Sequence, residues 1–245
     1  MQQRLPSLIE RPLAFAHRGA RAHATENTLA AFSLALVLGA SGLESDVWLT
    51  AEGIPVLDHD GVVRVGRRRR RIVECRREDL PPHIPELTDL LRECPGDHHL
   101  SLDLQHPEAG VAVIDLVRAV RPDVLSRLWL CHRDVAVLEE LRRHDASVHL
   151  VNSVRLARIK EGPERRAAAL AAVGIDAVNL HHFDWNGGLA TLFHRFERFA
   201  FGWDLQFDYQ LRPALRMGLD AVFSDHVDTM VDAFKAELGA IPTEL

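Results

Sequence analysis

The stretch Gly42–Asp60, GLESDVWLTAEGIPVLDHD, holds the reading on which the fold turns. Its apolar and β-branched residues read as two strands, GLESDVWLT and IPVLDHD, joined across the short turn Ala51-Glu52-Gly53. Glu44 and Asp46 stand where a buried strand should be apolar. Side chains alternate along a strand, so these two acids share one face and Ser45 and Val47 the other. Carboxylates held that close raise each other's pKa unless positive charge sits between them. A hard divalent cation such as Mg²⁺ or Ca²⁺, which takes oxygen ligands, supplies that charge. Ion pairs with arginines at a rim are the plainer alternative.

Outward from this stretch, short apolar runs alternate with helical patterns. PLAFAH is a strand and ENTLAAFSLALVLGA a helix stopping near Gly39, with Thr25 as a candidate cap and Glu26, Asn27 and Thr28 opening it. Further on, HHLSLDLQ, RLWLCH, SVHLVNS, DAVNLHH, FAFGWDL and LDAVFSDH read as strands separated by helical segments. About eight strand–helix units in 245 residues fit one (β/α)8 TIM barrel, residues 1–245 as a single domain, with a small insertion after the second strand at about residues 61–97.

Barrel enzymes place their chemistry at the C-terminal ends of the strands. There the sequence puts His17, the pair Glu44 and Asp46, His59 with Asp60, Asp103, Trp203 and Asp225. Asp103 would make a third carboxylate, and imidazoles suit proton transfer near neutral pH. Trp203 reads as a pocket wall or a core residue, and Asp225 as a hydrogen-bonding rim residue. His132, His181 and His182 also fall at strand ends and read as hydrogen-bonded rim residues or pocket lining.

The formal net charge is −6, so no whole-chain basic field calls for nucleic acid. Arg67–Arg71 is the local exception, read as a solvated loop rather than a contact for phosphates or an anionic membrane. Three widely spaced cysteines, Cys75, Cys94 and Cys131, read as reduced thiols. The N-terminus shows no apolar signal-like core and no run is long enough to span a membrane, so the expectation is a cytoplasmic protein without membrane insertion.

AHRGARAHATENTLAAF, GLESDVWLTAEGIPVLDHD, IPELTDLL, SLDLQ, FGWDL and GLDAVFSDH resemble, in order, the motifs of the glycerophosphodiester phosphodiesterases, from about Leu13 to Asp228. The resemblance implies a barrel enzyme that hydrolyses small phosphodiesters to glycerol 3-phosphate and an alcohol with one divalent cation, Mg²⁺ or Ca²⁺. It implies His17 and His59 as catalytic acid and base, Glu44 and Asp46 as metal ligands, and Arg18 as a phosphate contact. In this family the nucleophile is water or the substrate's own 2-hydroxyl.

The sequence departs from the family at Asp103-Leu104-Gln105, where Glu-x-Lys is usual. Asp keeps the ligand charge, as in related spider-venom phospholipase D enzymes, so the metal role carries to Asp103. Gln105, at a substrate-binding place, lacks the cation, an interaction on the order of 4 kcal/mol before desolvation. Either Arg64, Arg133 or a histidine replaces it, or activity on standard substrates is weak. The departure leaves two alternatives open: a phospholipase D-like enzyme on lysophospholipids, or a binder of phosphorylated ligands without turnover.

Overall fold

In a computed structural model that describes residues 4–239, eight parallel strands close into a barrel, each followed by a helix. The strands of the barrel are β1 (Leu13–Ala16), β2 (Gly42–Leu49), β6 (His99–Leu104), β7 (Leu128–His132), β8 (His149–Ser153), β9 (Ala177–His181), β10 (Phe199–Trp203) and β11 (Ala221–Ser224). Their helices are α1 (Leu29–Val37), α2 (Leu87–Glu93), α3 (Ala109–Val120), α4 (Val135–His144), α5 (Pro163–Ala172), α6 (Gly187–Arg195), α7 (Asp208–Arg216) and α8 (Val227–Leu238). Closure comes from β1, which pairs with β11 through Leu13↔Ala221 to Ala16↔Ser224 and with β2 through Phe15↔Gly42.

Alternation sorts the side chains into two layers. Outward residues such as Leu43, Val47, Leu102, Leu130 and Val178 pack under the helices. Inward residues Leu13, Phe15, Trp129, Val151, Phe201 and Phe223 fill the barrel, where each large apolar side chain contributes roughly 1.5–3 kcal/mol. Gly42 has no side chain because Phe15 occupies its place: an added Cβ would lie 2.5 Å from that ring. Above this apolar plug the inward positions turn polar, with Glu44, Asp46, Asp103, Asn179 and His181.

The insertion after the second barrel strand begins with β3 (Pro55–Leu57), which runs antiparallel to β2 in the register Val47↔Leu57. It continues as the hairpin β4 (Val62–Val65) and β5 (Arg68–Arg71), followed by two single 3-10 turns before α2. Arg67 therefore sits in the hairpin turn, and Arg68–Arg71 of the arginine run form a strand, not the expected loop. Its backbone pairs with β4, and Val63 and Ile72 are buried in a small cluster with Val56, Cys75, Leu80 and Ile84. That burial outweighs the poor strand preference of the charged run.

The cap of α1 is also corrected. Thr28, not Thr25, accepts the Ala31 N–H, at 3.2 Å, and its own hydroxyl donates to the Thr25 carbonyl.

Candidate active site

The polar residues converge at the C-terminal mouth of the barrel because strand register places them side by side. Asp46 and Asp103 are direct partners in the β2–β6 pairing, with Glu44 one inward step below Asp46. Carboxylate oxygens of Glu44, Asp46 and Asp103 all lie within 4.8 Å of one another. Burial, then the charges of Asp46 and Asp103, hold the Glu44 carboxyl well above its usual range. Burial and Asp46 likewise push Asp103 up to about 7. Asp46 is also raised by burial, against the opposing pull of Arg18, His59 and His17. Asp46 Oδ2 is buried without a hydrogen bond, the nearest cation being Arg18 Nε at 3.5 Å. Three crowded hard oxygen donors with one orphaned oxygen fit a divalent cation.

The β1 turn supplies a second group of residues. Arg18 adopts φ +51 and Gly19 φ +79, and a Cβ on Gly19 would lie 2.7 Å from the Ala31 backbone. A left-handed conformation at a non-glycine residue costs about 1–2 kcal/mol. Here it aims the Arg18 N–H at Glu44 Oε2, 2.9 Å away. The Arg18 guanidinium is held by Glu26 at 3.0 Å, and Glu26 also pairs with Arg21.

His17 and His59 are each fixed through Nδ1 by a carboxylate. His17 meets Asp225 at 2.6 Å and His59 meets Asp60 at 2.8 Å. With Nδ1–H donating, each Nε2 is left to accept or deliver a proton. His17 Nε2 lies 3.9 Å from Glu44 Oε2, beside the acidic group. His59 reaches the same region because the Asp58 N–H donates to the Asp46 carbonyl at 3.2 Å, setting the next residue level with the β2 acids. Burial raises the Asp225 carboxyl, but the bond and charge of His17, with Arg21 and Arg18, outweigh it and leave the group below its ordinary value.

A cavity of about 420 Å³ opens onto His17, Arg18, Glu44, Asp103 and Trp203. A neighbouring cavity of about 240 Å³ is lined by Gln105, His132 and Arg133 and shares Asp103 and Ser153 with the first. Volumes of this order suit a small ligand.

Residues 17–229 match the Glycerophosphoryl diester phosphodiesterase family. The chain belongs to that family. Mouse glycerophosphodiester phosphodiesterase 1 is 30% identical over 159 residues, covering 57% of this chain and 48% of that protein, and the human protein of the same name gives the same figures. The match thus spans about half the length of these curated relatives. A glycerophosphodiester phosphodiesterase of Caldanaerobacter subterraneus is 51% identical over 51 residues, 21% of each chain. Among solved structures, the glycerophosphodiester phosphodiesterase of Thermotoga maritima superposes with a TM-score of 0.78 at 21% identity, covering 91% of this chain and 98% of that one. A phosphodiesterase of Oleispira antarctica, solved with the product sn-glycerol-3-phosphate, gives 0.78 at 20% identity over 92% and 97%. These structural likenesses bear on the fold.

Gln105, the chain's departure from the family pattern, donates from Nε2 to Asp46 Oδ1 at 2.7 Å, so its amide serves an acid of the cluster. Of the replacement cations, Arg64 lies exposed on β4, away from the cavities. Arg133 lines the smaller cavity beside Asp103 and Gln105 and has no carboxylate partner among the described residues. Trp203 walls the larger cavity, edge-on to His181 at 4.5 Å and with the Arg155 guanidinium 5.7 Å from its ring centroid.

Asp225 does more than the sequence suggested. It follows Ser224, which is the register partner of Ala16, so barrel closure puts it next to His17; two distant segments give no local signal of this. His181 and His182 group with Asp204, but His181 Nδ1 accepts the Phe183 N–H at 3.2 Å. Its proton is therefore on Nε2, donated to Asp204 Oδ2 at 3.1 Å, and no lone pair remains for a metal.

Proposed function

We propose that the chain hydrolyses glycerophosphodiesters to glycerol 3-phosphate and an alcohol, using one divalent cation, Mg²⁺ or Ca²⁺, and the pair His17 and His59. The observation that carries this reading is the convergence of the Glu44, Asp46 and Asp103 carboxylates with the Asp225-held imidazole of His17 at one barrel mouth. The Oleispira structure, a relative in fold with bound sn-glycerol-3-phosphate, supports the substrate class.

Glu44, Asp46 and Asp103 would hold the cation. When bound, it supplies Lewis-acid neutralisation of charge on the phosphate. Arg18, which lines the larger cavity, meets the phosphate there, and Arg133 reaches it from the smaller one, taking the place of the cation that Gln105 lacks. One imidazole takes a proton from the attacking water while the other gives one to the departing alkoxide. Asp225 and Asp60 hold the rings so that Nε2 does this work. Trp203 packs against the alcohol, and Gln105 positions Asp46 at the edge of the phosphate subsite. Residues 1–245 form one domain on this reading, and the cytoplasm is its place.

A second reading, action on lysophospholipids, is favoured by Phe183, Phe207 and Tyr209, which stand 78%, 51% and 70% exposed, the first in the 3-10 turn after β9 and the other two at the start of α7. The test is a panel of glycerophosphodiesters and lysophospholipids given to purified protein with Mg²⁺ or Ca²⁺. Alcohol release by the wild type, and at least a hundredfold less by His17→Ala, is the expected result. No release from any substrate, with the variant behaving identically, would end the proposal.

A further inference from the structure

We propose that the face of the barrel bearing the mouth docks on an anionic lipid surface, through the β4–β5 hairpin on one side and exposed aromatic residues on the other. The hairpin gathers Arg64 and Arg67–Arg71 in a chain whose formal net charge is −6. Among the described residues none of these six forms an ion pair, whereas Arg77, Arg121, Arg142 and Arg216 each sit on a carboxylate. Arg70 alone has an anchor, the Glu74 carbonyl at 2.6 Å.

Cross-strand partners share a face, so the register Val63↔Arg70 and Arg64↔Arg69 divides the hairpin in two. Val63 turns into its apolar cluster, and Arg64, Arg69 and Arg71 turn to solvent. Like charges directly opposite one another, as Arg64 and Arg69 are, destabilise a strand pair. Among the described residues no carboxylate pairs with either of them; an external anionic surface would offset their charge.

The hairpin leaves the barrel immediately after His59, beside β2. In the closed ring β9 stands opposite β2. Phe183 follows β9, and Phe207 and Tyr209, stacked with ring centroids 5.5 Å apart, follow β10. Basic and aromatic groups thus straddle the mouth. Exposed aromatics with arginines suit the headgroup zone of a membrane, where rings bury partly and cations meet anionic lipid. Single-stranded nucleic acid would instead want the rings interleaved with the cations along one groove. Docked this way, the mouth faces the lipid, and a phosphodiester carrying an acyl chain reaches it from the bilayer. That consequence rests on the proposed hydrolysis, but the docking does not.

The test is co-sedimentation of the full chain with vesicles of phosphatidylcholine alone and of phosphatidylcholine mixed with phosphatidylglycerol, at low and high salt. Binding to the anionic vesicles only, weakening as salt rises, is expected. The variant Arg64→Gln/Arg69→Gln/Arg71→Gln should lose on the order of a hundredfold in partition coefficient, and Phe183→Ala/Tyr209→Ala roughly tenfold. Neither should melt below the wild type; should the triple variant not fold, Arg67→Gln/Arg69→Gln replaces it. Equal binding to neutral and anionic vesicles, binding to neither, or binding to short DNA with none to vesicles would each overturn the proposal. Hydrolysis is not measured, so this result stands apart from that of the substrate panel.

Discussion

Gln105 Nε2 donates to Asp46 Oδ1 at 2.7 Å, leaving Asp46 Oδ2 as the buried oxygen without a hydrogen bond. A neutral amide at this position orients an acid without adding charge to the cluster. Groups that orient a metal ligand in this way are worth roughly ten- to a hundredfold in metal affinity. Gln105→Ala is therefore expected to raise the metal concentration needed for half-maximal activity by that factor, with a smaller change in kcat at saturating metal. A metal titration of initial rates checks it.

Arg133 is exposed, lines the smaller cavity and has no carboxylate to hold it in the resting protein. A hydrogen bond to a charged group contributes about 1.5–3 kcal/mol. Arg133→Ala should lower kcat/KM by roughly ten- to a hundredfold and leave the melting temperature unchanged. Steady-state kinetics beside a thermal melt separate the two effects.

The His17–Asp225 bond of 2.6 Å makes Asp225 a positioning residue. Removing its charge should slow proton transfer more than it weakens binding. Asp225→Asn is expected to cost roughly ten- to a hundredfold in kcat with little change in KM, and Asp225→Glu to recover part of the loss. Equal effects on kcat and KM would make the bond merely structural.

The crowded acids also set how stability varies with pH in chelator. Asp103, ordinarily 3.8, is pushed up to about 7, so its stabilising share is full below 3.8 and lost as pH rises through 7. His98 and His99 are lowered from 6.5 to about 4, mainly by burial, so they destabilise as pH falls through that window. Between pH ~4 and ~6.5 the two trends oppose; above ~6.5 only the carboxylates act. The melting temperature without metal should therefore fall from pH 6.5 to pH 8, and the rise on adding Mg²⁺ or Ca²⁺ should be larger at pH 8. Differential scanning fluorimetry across that range decides it; a melting temperature that climbed toward pH 8 would contradict the sign.

The barrel was legible because each strand's outward residues, such as Leu102 in β6 and Val178 in β9, are apolar while the inward ones change from apolar to polar along the strand. Glu44 and Asp46 stood out for the same reason, as charge on the inward face. What stayed hidden depends on contacts between distant segments. Barrel closure brings Asp225 to His17, and the small apolar cluster beneath Val63 makes a strand of an arginine run. Local pattern could not choose Thr28 over Thr25 as the cap, since both hydroxyls lie near the helix start and backbone geometry decides between them.

The most direct measurement is glycerol 3-phosphate formation from a glycerophosphodiester by chelator-stripped protein, before and after adding back Mg²⁺ or Ca²⁺, with Asp46→Asn alongside. The account predicts no product from the stripped protein, recovery on reloading, and no recovery in the variant. Turnover by the stripped protein as fast as by the reloaded one would contradict it.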